Sequence, residues 1–159
     1  MRTAVIFVLG LALGVAVTTK SQGNKVTGIN GVNHIGISVD NFDDSVAFYE
    51  QKMGFREVDR IRNDKGETTL VFVQVSRDTF LELAPSNANR PAGFTHFGVN
   101  VDSAGAAASA LKERGVTVGD PRVVGNQWTI ASVTAPGGRI ELTELGPESS
   151  LGKATSGWK

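Results

Sequence analysis

The chain is written twice. Val32-Asn33-His34-Ile35-Gly36-Ile37-Ser38-Val39-Asp40 lies over Phe94-Thr95-His96-Phe97-Gly98-Val99-Asn100-Val101-Asp102 at a constant offset of 62. A repeat of this kind limits the fold before any single element does, because each copy has to bury its apolar face against something like itself. Each copy runs on into a helix-like stretch that ends at glycine: residues 43–53 closed by Gly54, and 103–114 closed by Gly115. Glycine just past a helix is a stop signal, since it enters the left-handed region without a Cβ penalty. Val46, Tyr49 and Met53 share one face of the first helix, as Ala104, Ala107, Ala108 and Leu111 share one of the second. Each copy then returns to strands, at 55–61, 67–75 and 79–83, and at 122–124, 127–133 and 139–143. Asn63-Asp64-Lys65-Gly66 and Ala135-Pro136-Gly137-Gly138 supply hairpin turns. Each copy therefore reads strand–helix–strand–strand–strand. A unit of roughly 60 residues is marginal alone, so the two must share a core.

Period-2 alternation then sorts the side chains. In the first strands, Ile35, Ile37 and Val39 oppose His34, Gly36 and Ser38, while Phe97, Val99 and Val101 oppose His96, Gly98 and Asn100. In the closing strands Leu81 and Leu83 oppose Glu82, and Ile140 and Leu142 oppose Glu141, now at an offset of 59. The apolar sets are expected under the helices. His34, Glu82, His96 and Glu141 are left at matching places on the other face. The chain holds only these two histidines, and both fall at one repeat position. Cysteine is absent, which removes disulfides, thiolate metal sites and a cysteine nucleophile. Nitrogen and oxygen donors without sulfur suit one divalent ion: Zn, Ni, Co, Mn or Fe.

The doubled unit, with these four residues and with Phe-Tyr-Glu-Gln-Lys-Met-Gly-Phe at 48–55 and Leu-Lys-Glu-Arg-Gly-Val at 111–116, resembles the vicinal oxygen chelate superfamily. That family includes glyoxalase I, methylmalonyl-CoA epimerase, extradiol dioxygenases and the fosfomycin and bleomycin resistance proteins. The resemblance covers 31–145. It implies an α+β fold in which two βαβββ modules, about 31–90 and 91–145, form a curved mixed sheet with a metal site in its cup. His-Glu-His-Glu is the ligand pattern of glyoxalase I. By resemblance, methylmalonyl-CoA epimerases carry Gln where Glu82 stands, and extradiol dioxygenases do not ligate from that place. The implied activity is that of a metal-dependent lyase or isomerase, of the lactoylglutathione lyase type, moving a proton on a small substrate with vicinal oxygens. Glu141 is then the base and Glu82 its partner. The alternatives are an Fe(II) extradiol-type dioxygenase using His34, His96 and Glu141, and an exported metal- or small-ligand-binding protein without turnover. A homodimer is expected.

Other features bound the surroundings. Residues 4–17 are all apolar or glycine, after Arg2 and before a polar stretch, which is the layout of an export signal ending near residue 23. As a helix the run would span only about 21 Å, short of a bilayer core of roughly 30 Å, so no stable membrane span is expected. The mature protein is placed in the periplasm or outside the cell, or on an uncleaved N-terminal anchor. An exported protein meets little glutathione, which leaves the substrate open. Sixteen basic residues balance sixteen acidic ones with no basic run, so nothing points to nucleic acid. Arg56, Arg60, Arg62 and Arg122 read as solvated, Trp128 and Phe94 as core or as a pocket wall, and no substrate-binding residue is named. Glu144, three residues past Glu141, falls on the opposite face or past the strand end, as a solvated carboxylate. Residues 146–159 read as a C-terminal tail.

Overall fold

In the computed structural model, the described residues are Val26, 28–125 and 127–159; the expected export segment at 1–23 lies outside them. The first module comprises β1 (Ile29–Val39), α1 (Phe42–Ala47), a π-helical continuation (Phe48–Lys52), β2 (Arg56–Arg62), β3 (Thr68–Ser76) and β4 (Thr79–Pro85). The second repeats the order with β5 (Gly93–Val101), α2 (Ala104–Lys112), β6 (Arg122–Val124), β7 (Trp128–Ala135) and β8 (Gly138–Leu145). Gly54 and Gly115 close the two helical stretches at φ +72° and +78°, as the sequence requires.

All eight strands join one mixed sheet in the order β2-β3-β4-β1-β5-β8-β7-β6. Within each module the first strand runs parallel to the last, β1 to β4 and β5 to β8. The modules meet where β1 lies antiparallel to β5. This is the paired α+β architecture that the repeat predicts. None of the helices among the described residues is long and apolar enough to cross a membrane.

Each helix covers the outer face of its own module. Val46 packs on Val71, Val73 and Leu83, with Ile37 and Leu81 partly buried beside them. Ala104, Ala107 and Ala108 pack on Ala131, Val133 and Leu142. Small alanines let α2 sit close to the sheet. The expectation that every outward apolar side chain lies under a helix fails at the seam. Ile35 is 38% exposed and Phe94 60% exposed, because neither helix reaches the middle of the eight-stranded sheet. Phe94 is thus neither core nor part of the cup.

Residues 146–159 also do more than trail. Ser149 caps a short helix, α3 (Ser150–Ser156), its hydroxyl accepting from Gly152 N at 3.0 Å. Leu151 and Ala154 are buried against Phe72, Phe80, Trp128 and Ile130 inside the cup. Ser150 Oγ donates to Asp59 Oδ2 at 2.6 Å, tying α3 to β2. With two apolar anchors among glycine and serine, the segment carries too little periodicity for a sequence reading to find it.

A candidate metal centre at the seam

The four residues singled out by the repeat meet where β4, β1, β5 and β8 run side by side. Backbone register places them in two rows. Glu82 pairs across with Gly36, and Gly36 with His96. His34 pairs across with Gly98, and Gly98 with Glu141. In each row a carboxylate and an imidazole face each other over a glycine. A Cβ at Gly36 would lie 2.4 Å from His96 Cε1, and one at Gly98 would lie 2.3 Å from His34 Cε1. The glycines are the floor over which the rings lie, and neither position has room for a side chain.

Two β-bulges orient the imidazoles. The β1–β5 register skips Asn33 and Thr95, the residues immediately before the histidines. A bulge re-aims the side chain it displaces. Asn33 Oδ1 lies 2.7 Å from His34 Nδ1, and Thr95 Oγ1 lies 2.9 Å from His96 Nδ1. For His34 the tautomer follows. Asn100 Nδ2 donates to the Asp78 carbonyl, so its Oδ1 accepts from Asn33 Nδ2 at 2.8 Å, which turns Asn33 Oδ1 toward the ring. His34 Nδ1 must then carry the proton, leaving the Nε2 lone pair for the cup. Holding the far nitrogen of a histidine in this way is how proteins set a ligand's orientation and basicity.

One donor atom from each of His34, Glu82, His96 and Glu141 lies within 4.8 Å of all the others. The Nε2 atoms stand 3.0 Å apart. Glu141 Oε2 lies 3.5 Å from His34 Nε2 and 3.7 Å from His96 Nε2, and Glu82 Oε2 lies at 3.8 and 3.7 Å. Donors sharing an ion at about 2.0–2.2 Å must stand roughly 3–4 Å from one another. The histidine–histidine and histidine–carboxylate separations do, and the donors are nitrogen and oxygen atoms gathered at one place. The residues fit a divalent ion.

Burial sets the electrostatics. It holds the His96 imidazole down to about 4, against the opposing charge of Glu141, so the ring is neutral and its lone pair free at neutral pH. Burial also pushes the Glu82 carboxyl above the ordinary range; His34 pulls against that shift and the Glu141 charge adds to it. At Glu141 the net shift is downward: burial pushes the carboxyl up, but the two histidines, where they carry a proton toward it, and the Arg139 charge outweigh that push. Arg139 Nη1 reaches Glu141 Oε1 at 2.7 Å, leaving Oε2 to face the histidines. Two like groups are thus pushed in opposite directions.

The centre opens into a cavity of about 430 Å³, within the range of small-molecule sites. Trp128 walls it, in edge contact with Phe72 at 5.5 Å, and Arg122 lines it as well. Arg90 and Arg139, which the sequence did not single out, also line it. Arg56 and Arg60 instead bond Gln74 and Glu57, and Arg62 bonds the Gly66 carbonyl.

Glu144 does lie on the opposite face from Glu141, but it is not a free solvated carboxylate. Its Oε2 accepts from Ala104 N at 2.8 Å, at the first turn of α2, where a negative charge is favoured. Glu144→Gln is therefore expected to cost about 0.3–1 kcal/mol of stability with divalent-ion affinity unchanged. Parallel denaturant and ion titrations check this, and a loss of ion affinity at equal folding would contradict the register of β8.

Comparison with known proteins places this fold. No curated protein matches the chain. Among solved structures, methylmalonyl-CoA epimerase from Mycobacterium tuberculosis superposes with TM-score 0.66 at 23% identity, covering 79% of this chain and 95% of that one. A Streptomyces coelicolor methylmalonyl-CoA epimerase in complex with 2-nitronate-propionyl-CoA gives 0.63 at 20%, covering 76% and 98%. A hypothetical protein from Bacillus halodurans gives 0.61 at 21%, covering 72% and 94%. At such identities the likeness is one of fold. Residues 31–138 match the model of the Glyoxalase/Bleomycin resistance protein/Dioxygenase superfamily, and the chain, with its doubled module and curled sheet, belongs to that family.

Proposed function

We propose that the protein is a metal-dependent lyase or isomerase of the glyoxalase I type, moving a proton beside a carbonyl on a small substrate with vicinal oxygens. The observation that carries this is the pair of carboxylates, Glu82 and Glu141, which line a substrate-sized cavity and stand beside two oriented imidazoles. His34, His96, Glu82 and Glu141 would hold one divalent ion of the Zn, Ni, Co, Mn or Fe group. Such an ion supplies Lewis-acid polarisation of the substrate oxygens. The chain's own part is the proton. Glu141, paired with Arg139, takes it, and Glu82, whose burial raises its affinity for a proton when no ion is bound, is its partner. Carboxylates whose environments pull them apart in this way can divide acid and base roles. Positioned groups of this kind contribute about 10²- to 10⁴-fold.

The Fe(II) dioxygenase reading needs the Glu82 position free for oxygen or substrate. The near-equal approach of Glu82 Oε2 to both Nε2 atoms, 3.8 and 3.7 Å, favours the lyase or isomerase instead. The test is to load the purified protein anaerobically with each ion in turn and supply the hemithioacetal of methylglyoxal with a small thiol in deuterated water. Metal-dependent isomerisation, or deuterium entering the carbon beside the carbonyl, is expected. Oxygen consumption with iron alone would shift the reading to the dioxygenase. Stoichiometric ion binding without turnover would leave a binding protein.

Export belongs to the same reading, supported by the apolar run at 4–17. Full-length protein in the cytoplasm of its native host would overturn it and restore glutathione as a partner. So does the homodimer, supported by the uncovered Ile35 and Phe94 at the seam; a monomer by sedimentation removes it.

A further inference from the structure

Three arginines reach the cup, and they are not equivalent. Arg139 is engaged with Glu141. Arg122 sits exposed on β6, the edge strand. Arg90 is different. It lies in the connection between the two modules, where its backbone N–H and carbonyl both pair with Asn87 at 3.0 and 2.9 Å. Its Nη2 donates to the Pro85 carbonyl at 2.9 Å. Backbone and guanidinium are therefore both fixed. Yet its Nε is buried with no hydrogen-bond partner among the described residues, and the side chain lines the cavity. A buried donor without an acceptor is costly, and native proteins keep few of them.

Charge points the same way. On the reading proposed above, a divalent ion balances Glu82 and Glu141. The guanidiniums around the cup are then surplus positive charge beside a neutral centre, a field that selects for an anion. Apart from Asn33 and Thr69, the remainder of the wall is apolar and includes Phe72, Trp128, Ile130 and Leu151.

We propose that Arg90 is the carboxylate anchor of the cup, so that the substrate is a small anion carrying a carboxylate near its vicinal oxygens and an apolar remainder against Trp128 and Leu151. The substrate carboxylate meets the Arg90 guanidinium where the side chain lines the cavity, and the Pro85 carbonyl holds that group ready for it. A charge-assisted hydrogen bond in a pre-set geometry is the strong kind. Arg90 fixes specificity; it is not placed among the groups that move the proton.

This rests on the vicinal-oxygen reading, so the experiment separates the two. Full-length protein loaded with zinc is titrated calorimetrically with two chelators that share one oxygen pair: acetohydroxamic acid, and the monohydroxamate of malonic acid, which adds a carboxylate. The wild type is expected to bind the second at least about tenfold more tightly. Arg90→Gln should abolish that preference while leaving zinc content and acetohydroxamate affinity unchanged. Arg90→Lys, which keeps the charge but not the planar fork, should retain part of it. Arg122→Gln should retain it all. Equal binding of both chelators by the wild type overturns the anchor alone. A preference that survives Arg90→Gln, or disappears with Arg122→Gln, overturns the assignment to Arg90. Binding of neither by zinc-loaded protein removes the vicinal-oxygen reading and the anchor together.

Discussion

His96→Ala is expected to lower divalent-ion affinity by more than about 100-fold while the fold survives. Outer partners of a metal ligand typically account for about 10–100-fold, and His96 is placed as a ligand itself. Its ring is 1% exposed, and its Nε2 stands 3.0 Å from that of His34 and 3.7 Å from both carboxylates. Removing it takes one of the two imidazole donors and leaves two carboxylates facing a single ring. The fold should tolerate this, because His96 contributes no apolar surface to the clusters under α1 and α2. Ion content after dialysis, calorimetric affinity and a thermal melt on the same preparation decide the matter. Unchanged ion content at equal folding would sink the site. His34→Ala, Glu82→Ala and Glu141→Ala should follow the same course, with Glu141→Ala also freeing Arg139.

The clustering of these four side chains was legible because a repeat turns four weak signals into one. A single histidine on a strand says little. His34 and His96 at one repeat position, with Glu82 and Glu141 at matching places in the closing strands, say a great deal. Alternation then gave the right face for each, since β4 and β8 are regular over those residues. It could not see the bulges. Asn33 and Thr95 precede their histidines and should point away; only the extra residue in each ladder turns them back to the Nδ1 atoms. The arginines were missed for another reason. Arg90 sits in a connection with no periodicity, and Arg139 opens β8 next to a turn. Whether such a charge faces solvent or a cavity is decided by tertiary structure. For α3, the deciding contacts to Phe72 and Trp128 are likewise remote in sequence.

One signal stood in plain view. His34-Ile35-Gly36 and His96-Phe97-Gly98 repeat a glycine two places after the histidine, and in the sheet each glycine lies under the other module's ring. Gly98→Ala is accordingly expected to reduce ion affinity by more than about 100-fold, with all four candidate ligands still in the chain. Its backbone is not in the left-handed region that alanine avoids, so the effect is purely one of space. The new Cβ would lie 2.3 Å from His34 Cε1, 2.4 Å from Nδ1 and 2.9 Å from Nε2. His34 cannot swing aside cheaply: it is 2% exposed and held through Asn33, Asn100 and the Asp78 carbonyl. Either the ring leaves the cup, breaking that chain, or β1 and β5 part at the seam. Overpacking of this kind costs about 1–3 kcal/mol, which a denaturant titration reads separately from the ion. Gly36→Ala should do the same to His96, where the Cβ would also meet Thr95 Oγ1 at 2.7 Å. Gly105→Ala is the control. It lies within α2 with nothing nearer than Ser103 Oγ at 3.9 Å, and there alanine should be neutral or stabilising by up to about 1 kcal/mol. Should Gly98→Ala bind the ion within threefold of wild type, the two rows do not meet over glycine, and the register between the modules is not the one described.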